Sequence, residues 1–193
     1  MQLTLSCAVR DCPKLLYFNS EPQLLMLIRK TRNADRHSIF QLYKNVARVP
    51  GCLARLEDEV TPDYVDHFLE RAMRDGVALV AESANGDIAG ELHACSPGVY
   101  CFSHVLNDLT VAVDAQFRRQ GIARQLFDML FAELAESRPD ITRVELIARE
   151  SNTSALRFYE SLGFVQEGRF EKRIRNPDGS TEADIPMAWH KAQ

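Results

Sequence analysis

The amino-acid sequence predicts a mixed α/β protein, and three observations carry that class. Segments with apolar residues at helical spacing alternate with strand-like segments, in the order strand, two helices, three strands, helix, strand, helix, two strands. Two turn signals, Asn85-Gly86 and Asn176-Pro177-Asp178-Gly179, each join two strand-like runs into a hairpin. The 193 residues, 46% of them hydrophobic, suffice for one domain with a sizeable core and are too few for two comfortable ones.

Residues 1–22 form no regular pattern, broken as they are by Pro13 and Pro22, and read as an extension of unknown role ahead of a domain spanning 23–193. Leu24 to Arg29 reads as a strand. Ala34 to Arg48 reads as a helix, because Ile39, Leu42, Tyr43 and Val46 share one face; Val49-Pro50-Gly51 ends it. Thr61-Pro62-Asp63 starts a second helix, with Thr61 as N-cap and Pro62 in the first turn. Its apolar face is Val65, Phe68, Leu69 and Met73, and Gly76 closes it. Val77–Ala81 and Ile88–Ala94 form the first hairpin, and Tyr100 to Val113 reads as a long strand after the turn Ser96-Pro97-Gly98. A helix follows over Ile122–Ser137, a strand over Arg143–Arg149, and a short helix over Asn152–Leu162 that ends at Gly163. Phe164–Arg175 and Ala183–His190 make the last hairpin.

Composition excludes several classes. The net charge is −4 with 26% charged residues, so the basic face expected of a nucleic-acid binder is missing. The apolar runs are too short to span a bilayer, and the start MQLTLSCAVRDC has neither the basic region nor the apolar core of a signal peptide. Five scattered cysteines, an odd number, fit reduced thiols and a cytoplasmic location better than a disulfide framework.

The stretch FRRQGIARQL, Phe117 to Leu126, places a glycine and three arginines where a helix begins. A helix start leaves its first N–H groups unpaired and carries partial positive charge, and a glycine lets an anion approach them closely. Arg118, Arg119 and Arg124 add charge within reach of a diphosphate. The P-loop pattern G-x-x-x-x-G-K-S/T is missing, and no G-x-G pair starts a dinucleotide fingerprint. Taken alone, the stretch also reads as a solvated basic helix start with no ligand.

Context favours a ligand. Arg119-Gln120-Gly121-Ile122-Ala123, preceded by Arg118, fits the Q/R-x-x-G-x-G/A pattern of the GNAT superfamily of acyl-CoA-dependent N-acetyltransferases, and like that pattern it follows a strand and opens a helix. Downstream, Asn152-x-x-Ala155-x-x-x-Tyr159-x-x-x-Gly163-Phe164 resembles a second segment of the same family, in the same order. The resemblance runs from about Ile28 to Trp189 and is strongest from Leu109 to Phe164. The stretch from Gly163 to Ala188 also looks like the C-terminal hairpin of one bacterial branch.

The resemblance implies a GNAT-like fold, with a mostly antiparallel central sheet flanked by helices and containing a splayed parallel pair, here Phe102–Val113 and Arg143–Arg149. It implies acetyl-CoA as co-substrate, its arm pairing with backbone near Val111 and Val113 and its pyrophosphate on the amides from Arg119 to Arg124, with Gln120, Gly121, Ile122 and Ala123 between. Asn152 would bond the arm or a water beside it, and Ala155 and Phe158 would pack along it. Amide formation needs a deprotonated amine, donors for the developing oxyanion, and a proton for the leaving thiolate. The resemblance assigns the oxyanion to the Val113 N–H and the proton to Tyr159. Asp108 is the candidate base, although alternation sends Asn107 and Asp108 to opposite faces and a bulge would exchange them. Glu91, His93, His104 and a water chain are the alternatives.

The acceptor is expected to be a primary amine of a small molecule or peptide, attacked in a ternary complex. The loop ARVPGCLARLEDEVTPDYVD carries Glu57, Asp58, Glu59, Asp63 and Asp66, which read either as a rim for a cationic amine or as acids complementing the helix dipole. Cys52 in this loop keeps a covalent acetyl-enzyme open. His93, Cys95, Cys101 and His104 are zinc-compatible residue types, but their spacing fits no standard finger, and no metal is expected. Two other readings stand beside the enzyme: a non-catalytic acyl-CoA-binding or partner-binding module of the same fold, and a zinc-stabilised interaction domain. A homodimer is consistent with the resemblance.

Overall fold

Alternating apolar residues in the middle of the chain become an open eight-stranded sheet in the computed structural model, which describes residues 26–191. The first twenty-two residues, and Leu24 and Leu25 of the first strand expectation, lie outside the described residues. The elements are β1 Leu27–Lys30, α1 Arg36–Ala47, α2 Pro62–Asp75, β2 Val77–Glu82, β3 Ile88–Cys95, β4 Val105–Val113, α3 Ile122–Glu136, β5 Arg143–Arg149, α4 Thr153–Ser161, β6 Val165–Gln166, β7 Phe170–Arg175 and β8 Thr181–His190. The strand order is β1-β2-β3-β4-β5-β8-β6, with β7 also on β8. All pairings are antiparallel except β4 with β5.

The sheet buries both faces. On one side, Ile39, Leu42 and Tyr43 of α1 and Val65, Phe68 and Leu69 of α2 pack on Ala78, Val80, Cys95 and Ala112. On the other, Leu126, Phe127 and Leu130 of α3 pack on Leu79, Leu92, Leu106, Val144 and Leu146. Phe127 is wholly buried and meets Phe158, Tyr159 and Phe164 edge-on at 5.6–6.0 Å. Truncating it to alanine is expected to cost about 3–5 kcal/mol.

The helix boundaries follow their local chemistry. Thr61 Oγ1 accepts from the Tyr64 N–H at 3.1 Å, Pro62 occupies the first turn, and Gly76 ends α2. A Cβ at Gly76 would lie 2.1 Å from the Ala94 carbonyl oxygen, so only glycine allows α2 to end this close to β3.

Three expectations are corrected. The run from Tyr100 is not strand throughout: Gly98 is left-handed (φ 72°), Tyr100–Phe102 is a 3-10 turn with Tyr100 94% exposed, and β4 starts only at Val105. Aromatic strand propensity has no effect where no neighbouring strand is present to pair. Met73 is exposed, and Ala72 takes its place on the buried face of α2. The strand expected over Phe164–Arg175 is broken between β6 and β7, which pair with different stretches of β8, and Lys172 is left-handed (φ 55°) in an irregular register.

Candidate functional site

The site begins where two parallel strands part. β4 and β5 pair only at Val105 with Arg143 and Leu106 with Val144. Beyond that point β5 continues along β8 as far as Arg149 with Asp184, while β4 continues along β3 to Val113 with Gly90. The Asp114 N–H donates to the Ala89 carbonyl at 3.0 Å. Antiparallel ladders alternate, so Ala112 with Glu91 and Thr110 with His93 are the next hydrogen-bonded pairs inward. Val111 and Val113 therefore turn their backbone N–H and C=O away from β3, into the opening left by β5. An extended chain could add itself there.

The mouth of this opening is the start of α3. Arg119 and Gly121 are both left-handed, at φ 62° and 74°, and Gly121 is the N-cap residue. The first intrahelical bond runs from the Gln125 N–H to the Gly121 carbonyl at 3.0 Å, leaving the N–H groups of Ile122, Ala123 and Arg124 ahead of it. A Cβ at Gly121 would meet only Gln125 Nε2, at 4.0 Å, so packing does not demand a glycine. Its left-handed backbone and the open approach it leaves do. An open pocket of about 170 Å³ is lined by Val113, Phe117, Arg118, Arg119, Gly121, Ile122, Ala123, Arg124 and Phe158. Of the expected cofactor residues, eight converge here, while Gln120, Val111, Asn152 and Ala155 lie outside the lining. Phe117 was missed. Its only signal was its position one residue before the arginines.

α4 supplies the other wall. Asn152 caps it, Oδ1 accepting from the Ala155 N–H at 3.2 Å, while its Nδ2 donates to the Gly51 carbonyl at 3.4 Å. Neighbouring Cys52 receives the Arg118 Nη2 at 3.3 Å, so the loop after α1 touches both expected ligand residues. Ala155 is half-buried, and Phe158 and Tyr159 pack against the α3-side core. The Tyr159 hydroxyl has no hydrogen-bond partner among the described residues, and burial pushes its pKa up to about 12. A phenol in that state keeps its proton at neutral pH and can donate it.

Asp108 sits at a bulge of β4, left-handed at φ 53°, beside the register shift between His93 and Cys95. Its carboxylate is 57% exposed and bonded to Arg71 Nη2 of α2 at 3.1 Å. Regular alternation is thus interrupted at this position, and Asp108 is committed to an ion pair. Behind the same strand, the buried Tyr43 hydroxyl donates to Glu91 Oε2 at 2.7 Å, and His93 Nδ1 lies 3.1 Å from that oxygen. His104 is exposed and immediately precedes β4, at the end of the strand away from Thr110 and Ala112, which lie opposite His93 and Glu91.

The acidic loop is largely self-satisfied. Glu57 pairs with Arg48, Asp66 with Arg36, and Glu59 accepts from the Leu56 N–H. His93 and Cys95 turn into the α1–α2 side, with Cys95 Sγ against the Phe68 carbonyl, whereas Cys101 and His104 are exposed. Among the described residues, no three His, Cys, Asp or Glu side chains group to hold a metal. Likewise, no helix among them is long and apolar enough to cross a membrane.

Known proteins share this architecture. The family model described as "Acetyltransferase (GNAT) domain" matches residues 74–166. A [ribosomal protein bS18]-alanine N-acetyltransferase of Haemophilus ducreyi is 38% identical over 80 residues, covering 42% of this chain and 54% of the relative. The L-amino acid N-acetyltransferase AaaT of Escherichia coli is 27% identical over 118 residues, covering 60% of this chain and 72% of the relative. The chain thus spans about half the length of the bS18-alanine relatives it matches. The structure of yncA from Salmonella typhimurium with its cofactor acetyl-CoA superposes with a TM-score of 0.75 at 20% identity, over 87% of this chain and 95% of that one. The matched motifs, the parting parallel strands and the shared fold thus agree in likening residues 74–166 to the acetyltransferase domain of the GNAT superfamily.

Proposed function

We propose that the chain transfers the acetyl group of acetyl-CoA to a primary amine by direct attack in a ternary complex. One observation carries the reading: eight residues of the α3 start and its surroundings converge on a pocket where a glycine's missing side chain leaves unpaired amides open, beside a strand edge whose backbone is also open. The amides from Arg119 to Arg124, with the Arg118, Arg119 and Arg124 side chains, suit a diphosphate. The Val111 and Val113 edge suits the extended amide-bearing arm of coenzyme A. Bound there, acetyl-CoA supplies an activated acyl group. The Val113 N–H would stabilise charge growing on the acyl oxygen, and Tyr159 would protonate the departing sulfur.

The relatives named above act on the alanine of a ribosomal protein and on L-amino acids, so we take the acceptor to be the α-amine of an amino acid or of a peptide N-terminus. Thiol release from acetyl-CoA, followed over amino acids, short peptides, polyamines and aminoglycosides, tests this. Release with α-amines is the expected result. Silence with every amine, while acetyl-CoA still raises the unfolding temperature, would replace the enzyme by a binding module.

A further inference from the structure

Tyr43, Glu91 and His93 form a hydrogen-bonded set inside the α1–α2 side of the sheet that the proposed reaction does not yet use. Glu91 and Tyr43 are fully enclosed, and His93 is 3% exposed. Burying a carboxylate and an imidazole is costly where leucines would fill the space, so such a set is an expense the fold does not require. Its position is specific. Glu91 lies opposite Ala112 and His93 opposite Thr110, flanking the Val111–Val113 segment whose backbone faces the opening. The raised pKa of Tyr43 has burial as its main cause and the charge of Glu91 as the next, with a contribution from Tyr159 across the sheet.

The hydrogen bonds define a tautomer. A carboxylate only accepts, and the Tyr43 hydroxyl already donates to Glu91 Oε2. His93 Nδ1, 3.2 Å from Oε1 and 3.1 Å from Oε2, must then carry a proton and donate. Nε2 keeps its lone pair and has no hydrogen-bond partner among the described residues. The Phe68 ring stacks on the imidazole at 4.0 Å and 12° and fixes its plane.

We infer that His93 Nε2 accepts the proton the acceptor ammonium must lose before it attacks, with Glu91 holding the resulting imidazolium and Tyr43 fixing Glu91. The inference rests on the acetyl-transfer reading. The ammonium N–H bond breaks as the Nε2–H bond forms, and the freed nitrogen lone pair attacks the acyl carbon. The second nitrogen proton ends on the sulfur by way of Tyr159, and His93 returns its proton to solvent. The other groups facing the imidazole are few. Tyr43 of α1 is in ring contact, whereas Tyr64 of α2, with Arg55 over its ring, meets the Tyr43 and Phe68 rings behind it. Cys95 lies on the same strand, and Asp108 of β4 is neutralised by Arg71.

Two measurements on the full chain test this. Nitrogen-15 NMR of the imidazole at neutral pH should show a protonated Nδ1 and a bare Nε2; a protonated Nε2 overturns the proposal. The variants His93→Gln and Glu91→Gln should lower kcat with the wild-type acceptor about 100-fold and at least about tenfold. They should also shift the acid limb of the kcat/KM profile toward that of the free amine, with acetyl-CoA affinity unchanged by calorimetry. If His93→Gln fails to fold, the shape-conserving Glu91→Gln carries the kinetic test. Unaltered rates and an unaltered acid limb overturn the proposal even if the variants unfold at lower temperature. A wild type that binds acetyl-CoA but acetylates no amine sinks the acetyl-transfer reading itself.

Discussion

Cys52 Sγ and Arg118 Nη2 lie 3.3 Å apart, which joins the loop after α1 to the helix start that lines the pocket. Anything seated on Arg118 must also cover this half-buried thiol. Acetyl-CoA is therefore expected to slow alkylation of Cys52 by iodoacetamide several-fold. Cys101, exposed and outside the pocket, serves as the internal control and should label at an unchanged rate. Peptide mass spectrometry after timed labelling reads both.

Tyr159→Phe removes one oxygen from a ring already packed between Phe127 and Phe164. It should lower kcat about 100-fold and leave the acetyl-CoA affinity within about twofold, because the lost proton donor acts only as the thiolate leaves. Its pKa, pushed up to about 12 by burial, also makes a prediction on stability. The native state disfavours the phenolate, so this contribution is intact below the ordinary tyrosine value of about 10 and is lost as pH rises from there toward 12. The phenylalanine variant should show a shallower alkaline loss of stability than the wild type.

The entry to α1 is pinned by charge. Arg29 donates to both oxygens of Asp35 at 2.7 and 2.8 Å, and the Arg32 N–H adds a third bond at 2.7 Å. Burial works to raise the Asp35 pKa, but the Arg29 and Arg32 hydrogen bonds outweigh it and hold the carboxyl below its ordinary value. Its stabilisation is thus present above an ordinary carboxyl's pKa of about 3.9 and is lost as pH falls below that. Asp35→Asn leaves Arg29 half-paired in a site that is 8% exposed. It should cost about 3 kcal/mol, with an unfolding temperature lower by about 6–12 °C at neutral pH and a smaller difference from wild type at pH 3.

Local chemistry was legible in the sequence wherever one short stretch decides the outcome. Thr61-Pro62 starts a helix and Gly76 ends one because capping involves neighbours in the chain. Gly121 announces a left-handed, side-chain-free helix start for the same reason. The parting of β4 and β5 came from the family resemblance rather than from periodicity. What stayed hidden were meetings across long separations. Tyr43 read as an ordinary core residue of a helix face, yet it finds Glu91 48 positions away, and Arg118 finds Cys52 66 positions away. Asp108 looked available as a base because nothing local shows that Arg71, 37 positions back, would claim it. Tyr100–Phe102 looked like strand because propensity does not reveal whether a neighbour exists to pair.

The central claim is that the start of α3 seats the diphosphate of acetyl-CoA, and the substitution Gly121→Asn tests it most directly. Asparagine tolerates the left-handed backbone of Gly121 (φ 74°), and its side chain would enter the open space from which an anion reaches the amides. Titration calorimetry of acetyl-CoA into both proteins should give saturable one-site binding in the wild type. In the variant, binding should be at least about tenfold weaker, a loss of about 1.4 kcal/mol, with the unfolding temperature nearly unchanged. Equal affinity in a folded variant would contradict the claim and move the ligand elsewhere.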